Sequence, residues 1–360
     1  MPRAPLTVRF EDDLRLIPGP WQRVGLAAGA VVLTVYPLLL GSYWLALGTV
    51  AMTTVVGATG LMILTGFTGQ ISLGHAAFLG LGAYSAAILA AHLGWPFWMG
   101  LIAGGVCAAL VGLGIGPFAL RLRGLYLAIV TLGLIFLVQH LLHSFPKLTG
   151  GVAGIRVPMY WWFEEPGTPA TFGAGSPFGV PFAFDQQLFY LYALLAILAV
   201  LFAKNLHRSH TGRAMTAVRD RDMAASAMGV NIARTKIVAF GLSSSLAGVA
   251  GAMFAYQQRF LTIDPPFNLT MSVEYIVIIV IGGLGTVLGG VVGALAFVYV
   301  GALAERFLGH LPLLSQLTSS QQRIVLFSVI VGGFLLLEPL GLAGVWHRVR
   351  TYFATWPFRY

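Results

Sequence analysis

The chain has 360 residues, of which 58% are hydrophobic and only 9% are charged. Soluble domains carry about 25% charged residues, so this composition excludes a water-soluble globular protein and indicates an integral membrane protein. The net charge of +9 lies in a few short segments, which fits membrane topology better than nucleic-acid binding. The single cysteine, Cys107, excludes a disulfide within the chain and any paired-cysteine metal or redox motif.

Residues 1–23 are polar, and no convincing cleavage site follows the first apolar run, so we expect a retained signal anchor. Ten apolar runs follow, and most approach the roughly 20 residues that a membrane helix needs. The sequence therefore predicts an all-α, polytopic integral membrane protein with about ten transmembrane helices, some short or broken by glycine, in one domain over 1–360. The runs cover about 24–40, 43–65, 76–93, 97–120, 126–143, 187–203, 237–256, 273–287, 288–305 and 323–342.

The distribution of lysine and arginine predicts the orientation of these runs. With the N-terminus inside, cytoplasmic segments hold 16 of the 21 basic residues, as the positive-inside rule requires. Both termini are then cytoplasmic, and so is the segment 204–236. The long segment 144–186 is outside and contains Tyr160, Trp161 and Trp162, which suit either an interfacial anchor or a docking surface.

Glycines and polar residues interrupt the chain between the second and third runs, in the sequence LTGFTGQISLGHAAFLGLGAY at 64–84. Non-helical backbone at membrane depth is tolerated only inside protein or beside a water-filled cavity, and broken helices often mark transport sites. One hypothesis is that this stretch lines a substrate pathway, and the other is a tight packing turn between helices. We also expect Ser72 to cap a helix that starts near Gly74. The pathway candidates here are Gly66, Gly69, Gln70, Ser72, Gly74 and His75.

A second glycine-rich interruption, GGLGTVLGG at 282–290, separates the eighth and ninth runs. It resembles GFTGQISLG at 66–74 weakly, which is compatible with a duplicated architecture. Glu274, near the start of the eighth run, fits either a pore or a membrane interface. Its pathway candidates are Glu274, Gly282, Gly283 and Gly285.

The cytoplasmic segment 204–236 carries seven basic and two acidic residues. Its alanines, methionines and arginines predict one short helix at about 213–228, with Gly229 as its stop and Asn231 as the cap of the next helix. Contact with lipid headgroups would explain the charge. It does not explain the small-residue stretch AASAMG at 224–229, which suits close packing against a partner.

Several common catalytic motifs are missing from the sequence. The three lysines, Lys147, Lys204 and Lys236, do not follow glycines, so no G-x-x-x-x-G-K-[ST] phosphate loop exists. Nor is there a His-x-x-x-His pair, a G-x-S-x-G elbow or a facing carboxylate pair. We therefore expect no cofactor bound by this chain.

The stretch AASAMG resembles the Ala-Ala-x-x-x-Gly part of the EAA loop of ABC importer permeases, although Met223 stands where that family has glutamate. The stretches at 60–84, 122–133, 148–155, 212–255 and 272–294 look like the branched-chain amino acid ABC permeases, in order and spacing. The resemblance covers about 43–342. The blocks LRGLYLAIVTLG and LTGG, with the extra N-terminal span, resemble the LivM-type subunit.

This resemblance implies a permease subunit of a binding-protein-dependent importer in the bacterial inner membrane. The implied partners are a homologous second permease, two ATPase subunits that bind ATP, a periplasmic or extracellular substrate-binding protein, and membrane lipid, with no nucleic acid. In this family the EAA-like loop docks on the ATPase. The implied coupling residues are Arg219, Asp220, Ala224, Ala225 and Gly229.

Other functions remain open at this point. Permeases for urea and short amides share much of the pattern, so the substrate is less defined than the family. An ion-coupled secondary transporter would place carboxylates at mid-membrane, whereas Glu274, Glu305 and Glu338 lie near span ends. A membrane enzyme or respiratory subunit would need clustered histidines or a central Lys/Glu chain, and neither is present.

Overall fold

The computed structural model describes residues 20–122, 124–167, 172, 183–308, 332–333, 341–345 and 348. Within these ranges the chain is helical apart from its connecting segments and one pair of two-residue strands, which confirms the all-α prediction. The N-terminal residues 1–19 and nearly all of the predicted span 323–342 lie outside the described residues.

Twelve α-helices lie between residues 20 and 308. In chain order they are α1 (Pro20–Leu39), α2 (Ser42–Leu61), α3 (His75–Leu93), α4 (Phe97–Arg121), α5 (Leu125–Ser144), α6 (Pro146–Thr149), α7 (Phe184–Arg208), α8 (His210–Asp220), α9 (Asp222–Ala227), α10 (Ile232–Gln258), α11 (Leu269–Gly282) and α12 (Val287–Leu308). A π-helical turn (Met62–Phe67) extends α2, and a 3₁₀ turn (Gly151–Ala153) follows α6. Strands β1 (Ile155–Arg156) and β2 (Phe260–Leu261) pair antiparallel.

Six segments are long and apolar enough to cross a membrane. They correspond to the predicted runs from 43–65 to 237–256, which confirms a multi-pass membrane protein. The segments are Ser42–Phe67, His75–Leu93, Phe97–Phe118, Tyr126–Ser144, Phe184–Arg208 and Ile232–Gln258.

The predicted count of about ten spans is not confirmed. Helices α11 and α12 meet at an angle of 118°, so they form one broken span or a re-entrant pair. Helix α11 has 14 residues and is about 21 Å long at 1.5 Å per residue, short of a hydrocarbon core of about 30 Å. In α1, the stretch Gly29–Leu39 forms a shorter apolar helix. The described residues thus contain six membrane-spanning candidates, or seven with the bent pair.

Helix α10 packs against α3 and α4 through glycines whose backbones touch. A Cβ atom at Gly82 of α3 would overlap the carbonyl oxygen of Gly248 in α10, and one at Gly248 would overlap that of Gly104 in α4. Small residues let membrane helices approach closely when no hydrophobic effect drives them together. The bundle is therefore built around α10 by backbone contact, and large side chains are excluded from these crossings.

The segment after α5 is fastened to the end of α10 by the β1–β2 pair and by aromatic contacts. Trp161 stacks on Phe172 with ring centroids 4.7 Å apart, and Arg259 lies 4.0 Å above the ring of Phe184. Tyr160 is buried, whereas 72% of Trp162 is exposed. The three aromatic residues at 160–162 therefore divide between the protein interior and the surface.

We expect Gly82→Ala to destabilise the bundle, because its methyl group would overlap backbone that cannot move aside. Overpacking of this kind costs about 1–3 kcal/mol, so the melting temperature of the detergent-solubilised protein should fall by several degrees. Gly114→Ala on α4 is the matched control, since nothing lies within 4 Å of its Cβ position. Equal melting temperatures for the two variants would contradict the proposed backbone contact.

Candidate functional site

The first glycine turn, residues 66–75, joins α2 to α3. Helix α2 widens into its π-helical turn and ends at Phe67, and Gly69 then takes a left-handed backbone with φ of +68° that favours glycine. Threonine side chains add hydrogen bonds to the backbone at the end of this helix. Thr68 Oγ1 donates to the Leu64 carbonyl at 2.5 Å, and Thr65 Oγ1 donates to the Gln70 carbonyl at 3.1 Å.

The prediction that Ser72 caps α3 is wrong. The helix begins at His75, and Ser72 lies too early in the chain, so its hydroxyl accepts only from the N–H of Gly74, at 3.3 Å. The cap comes from a distant helix, because Ser272 Oγ of α11 accepts from the N–H of Ala76 at 2.9 Å. Thr131 Oγ1 of α5 accepts from the N–H of Leu73 at 3.0 Å. Two distant hydroxyls thus satisfy this backbone.

The polar side chains of the first glycine turn are buried. Gln70, Ser72 and His75 are 6%, 1% and 2% exposed. The His75 ring packs on Tyr275 of α11 with centroids 4.8 Å apart. Among the residues that the structure describes, none bonds Gln70 Oε1 or His75 Nε2. Since buried polar atoms are nearly always paired, each offers a bonding position for a water or a polar solute.

The second glycine turn, residues 282–286, joins α11 to α12. Gly283 and Gly285 have φ values of 113° and 86°, which side chains rarely adopt. A Cβ atom at Gly282 would overlap the carbonyl oxygen of Gly289, so the two helices are in close contact at the bend. Glu274 lies half-buried in α11, one residue before the Tyr275 that packs on His75.

The two glycine turns touch each other, which brings together two sets of residues that the sequence suggested separately. The N–H of Gly285 lies 3.3 Å from Met62 Sδ, and a Cβ atom at Gly66 would lie 3.1 Å from the nitrogen of Gly285. Arg219, at the end of α8, reaches the same place. Its Nη1 donates to the Gly66 carbonyl at 2.8 Å.

The segment 204–236 differs from its prediction as one helix at 213–228. It forms α8 and α9, which are separated at Arg221 by extended backbone with φ of −156° and ψ of 105°. Gly229, with φ of +83°, follows α9. The Asn231 cap is confirmed, because its side chain accepts from the N–H of Arg234 at 2.9 Å.

Exposure separates the residues of α9 into an outer and an inner set. Met223 and Met228 are 83% and 86% exposed, and Ala224 and Gly229 are exposed beside them. Ala225 is only 4% exposed, so its side chain packs inward. The sequence does not mark these two methionines as a surface, because methionine in an apolar sequence is more often a core residue.

The polar groups gathered at the two turns are backbone carbonyls and amides, the Gln70 side-chain amide, hydroxyls, the His75 imidazole and the Arg219 guanidinium. Within the part of the chain that the structure describes, no group of three or more His, Cys, Asp or Glu residues is arranged to hold a metal ion. Cys107 is a free, half-buried residue on α4. The arrangement suits hydrogen bonding to a polar solute and close approach of that solute to the backbone.

Comparison with known proteins gives consistent results. Residues 43–337 match the model of a family described as "Branched-chain amino acid transport system / permease component". The chain is 34% identical over 319 residues to the high-affinity branched-chain amino acid transport system permease protein LivM of Escherichia coli (strain K12), covering 83% of this chain and 75% of that protein. It is 32% identical over 295 residues to LivM of Salmonella typhimurium (strain LT2), with coverages of 79% and 69%. The corresponding LivH of Escherichia coli (strain K12) is 24% identical over 315 residues, with coverages of 82% and 92%. No solved structure matches.

We expect Ser272→Ala to weaken the start of α3, because the buried N–H of Ala76 would lose its acceptor. An unsatisfied cap costs about 1–2 kcal/mol, measurable as a lower melting temperature and faster amide exchange at 75–78. Ser85→Ala is the control, since the Ser85 hydroxyl only donates to a carbonyl of its own helix. Unchanged exchange at 75–78 in Ser272→Ala would show that the cap contributes nothing.

Proposed function

Because the chain belongs to the branched-chain amino acid transport permease family, we propose that it is the LivM-type permease subunit of a binding-protein-dependent ABC importer. In this role it carries branched-chain amino acids across the bacterial inner membrane into the cytoplasm, with both termini cytoplasmic. The observation that carries the proposal is the family match over 43–337, combined with 34% identity to a LivM permease over most of both chains.

The energy for transport comes from separate ATPase subunits in this proposal. The sequence contains no phosphate loop, so this chain binds no ATP by that motif. The surface formed by Met223, Ala224, Met228 and Gly229 on and beside α9 offers an apolar contact to an ATPase. Exposed methionines suit such a site because their flexible side chains adapt to a partner groove.

A homologous permease is the natural membrane partner. This chain is similar to two types of permease protein, LivM and LivH, of the high-affinity branched-chain amino acid transport system. Two related permeases would pair with pseudo-twofold symmetry and place two cytoplasmic segments side by side for two ATPases. On the outer face, the exposed Trp162 and Phe163 offer aromatic contacts to a substrate-binding protein.

The substrate path in this proposal passes the two glycine turns. A zwitterionic amino acid needs hydrogen bonds that hold it weakly enough to be released. The unpaired Gln70 Oε1 and His75 Nε2 supply such positions, and the glycines let the solute approach the backbone. The α3 N-terminus contributes less than an open helix end would, because Ser272 already occupies the Ala76 N–H.

The function is tested by uptake into proteoliposomes that contain the assembled transporter, its binding protein and internal ATP. We expect ATP-driven accumulation of leucine, isoleucine or valine, and a loss of at least about tenfold in the double variant Met223→Asp/Met228→Asp, because burying charge in an interface core typically costs more than 2 kcal/mol.

The double variant Met223→Leu/Met228→Leu keeps the apolar surface and should retain uptake. Accumulation driven by an ion gradient without ATP would refute the hypothesis that this chain belongs to an ATP-driven importer. Uptake of urea or short amides in place of amino acids would refute the substrate assignment. Normal transport by the aspartate variant would show that Met223 and Met228 do not form the ATPase contact.

The orientation is tested by cysteine labelling of intact and permeabilised cells in a Cys107→Ala background. His210→Cys, at the exposed start of α8, should react with an impermeant thiol reagent only after permeabilisation. Val152→Cys, on a residue that is 88% exposed, should react in intact cells. The reverse pattern would invert the proposed topology.

A further inference from the structure

One side chain contacts both glycine turns at once. Arg219 Nη1 donates to the Gly66 carbonyl at 2.8 Å, and a Cβ atom at Gly285 would lie 2.8 Å from the same nitrogen. A Cβ atom at Gly69 would lie 3.0 Å from Arg219 Cγ. The stem of this arginine therefore lies on the first turn, and its guanidinium lies between the first turn and the second.

The chemistry explains why an arginine stands here. The Gly66 carbonyl lies in the last turn of a helix that ends at Phe67, so it lacks the helical N–H that would otherwise bond it. A guanidinium carries five donors on a planar fork and serves several acceptors at fixed angles. Arg219 Nε also pairs with the neighbouring Asp220 at 3.1 Å, which fixes the plane of the fork.

The same segment is tied to the core helix on its other side. Lys236 Nζ of α10 lies 3.1 Å from Asp222 Oδ2 of α9. The backbone break at Arg221 therefore lies between one tether to the glycine turns and another to α10. Met223 and Met228 take part in neither tether and are exposed. Contact with the membrane part and contact with a partner are made by different residues of this short segment.

We propose that Arg219 is a positioning residue that joins the cytoplasmic segment α8–α9 to both glycine turns, so that a displacement of α9 moves the two turns together. The inference rests on the proposed function, in which an ATPase displaces α9. Arg219 is therefore not a docking residue for the ATPase. It makes a contact within this chain, because its guanidinium is bonded to the Gly66 carbonyl.

The test compares Arg219→Gln and Arg219→Lys with the control Arg213→Gln in the assembled transporter. Arg213 is also an exposed arginine of α8, and its guanidinium bonds only the nearby carbonyl of Arg208. Hydrogen exchange of peptides covering 66–75 and 282–286 reports on the turns. The ratio of amino acid transported to ATP hydrolysed reports on coupling.

In Arg219→Gln we expect faster exchange in both turns and a fall of at least about tenfold in the transport ratio, the size of effect that one lost charge-assisted hydrogen bond produces. ATP hydrolysis should stay near the wild-type rate, which a docking residue would not allow. Arg219→Lys keeps a charged donor without the fork, so its exchange rates and its transport ratio should lie between those of wild type and Arg219→Gln. If the glutamine variant does not assemble, the lysine variant serves as the test. Arg213→Gln should match wild type.

Three results would overturn the inference: unchanged exchange in both turns, faster exchange in only one of them, or the same changes in Arg213→Gln. If ATP hydrolysis and transport are both lost while exchange in the turns is unchanged, Arg219 contacts the ATPase and is a docking residue. If the wild-type transporter shows no ATP-driven uptake, the proposed function fails, while the exchange measurement still decides whether Arg219 holds both turns.

Discussion

The need to pair every backbone N–H and carbonyl in a low-dielectric surrounding governs this molecule. Helices meet this need internally, so the demanding places are those where helices stop. The chain stops two apolar helices at glycine turns and packs these turns against each other. It then completes them with groups from elsewhere: the Ser272 and Thr131 hydroxyls and the Arg219 guanidinium. Each of these residues comes from a different helix, so the site depends on the packing of several helices.

The bundle around the site is held by proximity of backbones. In lipid, apolar side chains gain little by leaving one apolar surrounding for another, so close contact and short hydrogen bonds decide helix association. Glycines at the crossings of α3, α4 and α10 allow that contact. The same residue type therefore has two uses here. At helix crossings it removes bulk, and in the turns of 66–75 and 282–286 it permits backbone angles that side chains disfavour.

The sequence predicted what depends on local pattern. Hydropathy located six spans within a few residues, and the Asn231 cap followed from its place before a helix. Features that depend on contacts between distant residues could not be predicted from the sequence. A single hydroxyl in an apolar run, such as Ser272, gives no sign of the helix that it caps, and the contact between the turns at 66 and 285 has no sequence signature. The break at Arg221 also escaped, because arginine favours helix and only the tertiary tethers at Arg219 and Asp222 explain the extended residue between them.

Because these contacts join residues that are far apart in the sequence, they form in a fixed order during synthesis. A ribosome delivers the α2–α3 hairpin before it delivers residues 219, 272 and 285, which bond or contact Gly66, Ala76 and Met62 in the finished protein. Until then the Gly66 carbonyl and the Ala76 N–H lack these partners and must be hydrated. The nascent hairpin is consequently held with its tip at the aqueous boundary, and the turn becomes buried only when the later helices close over it.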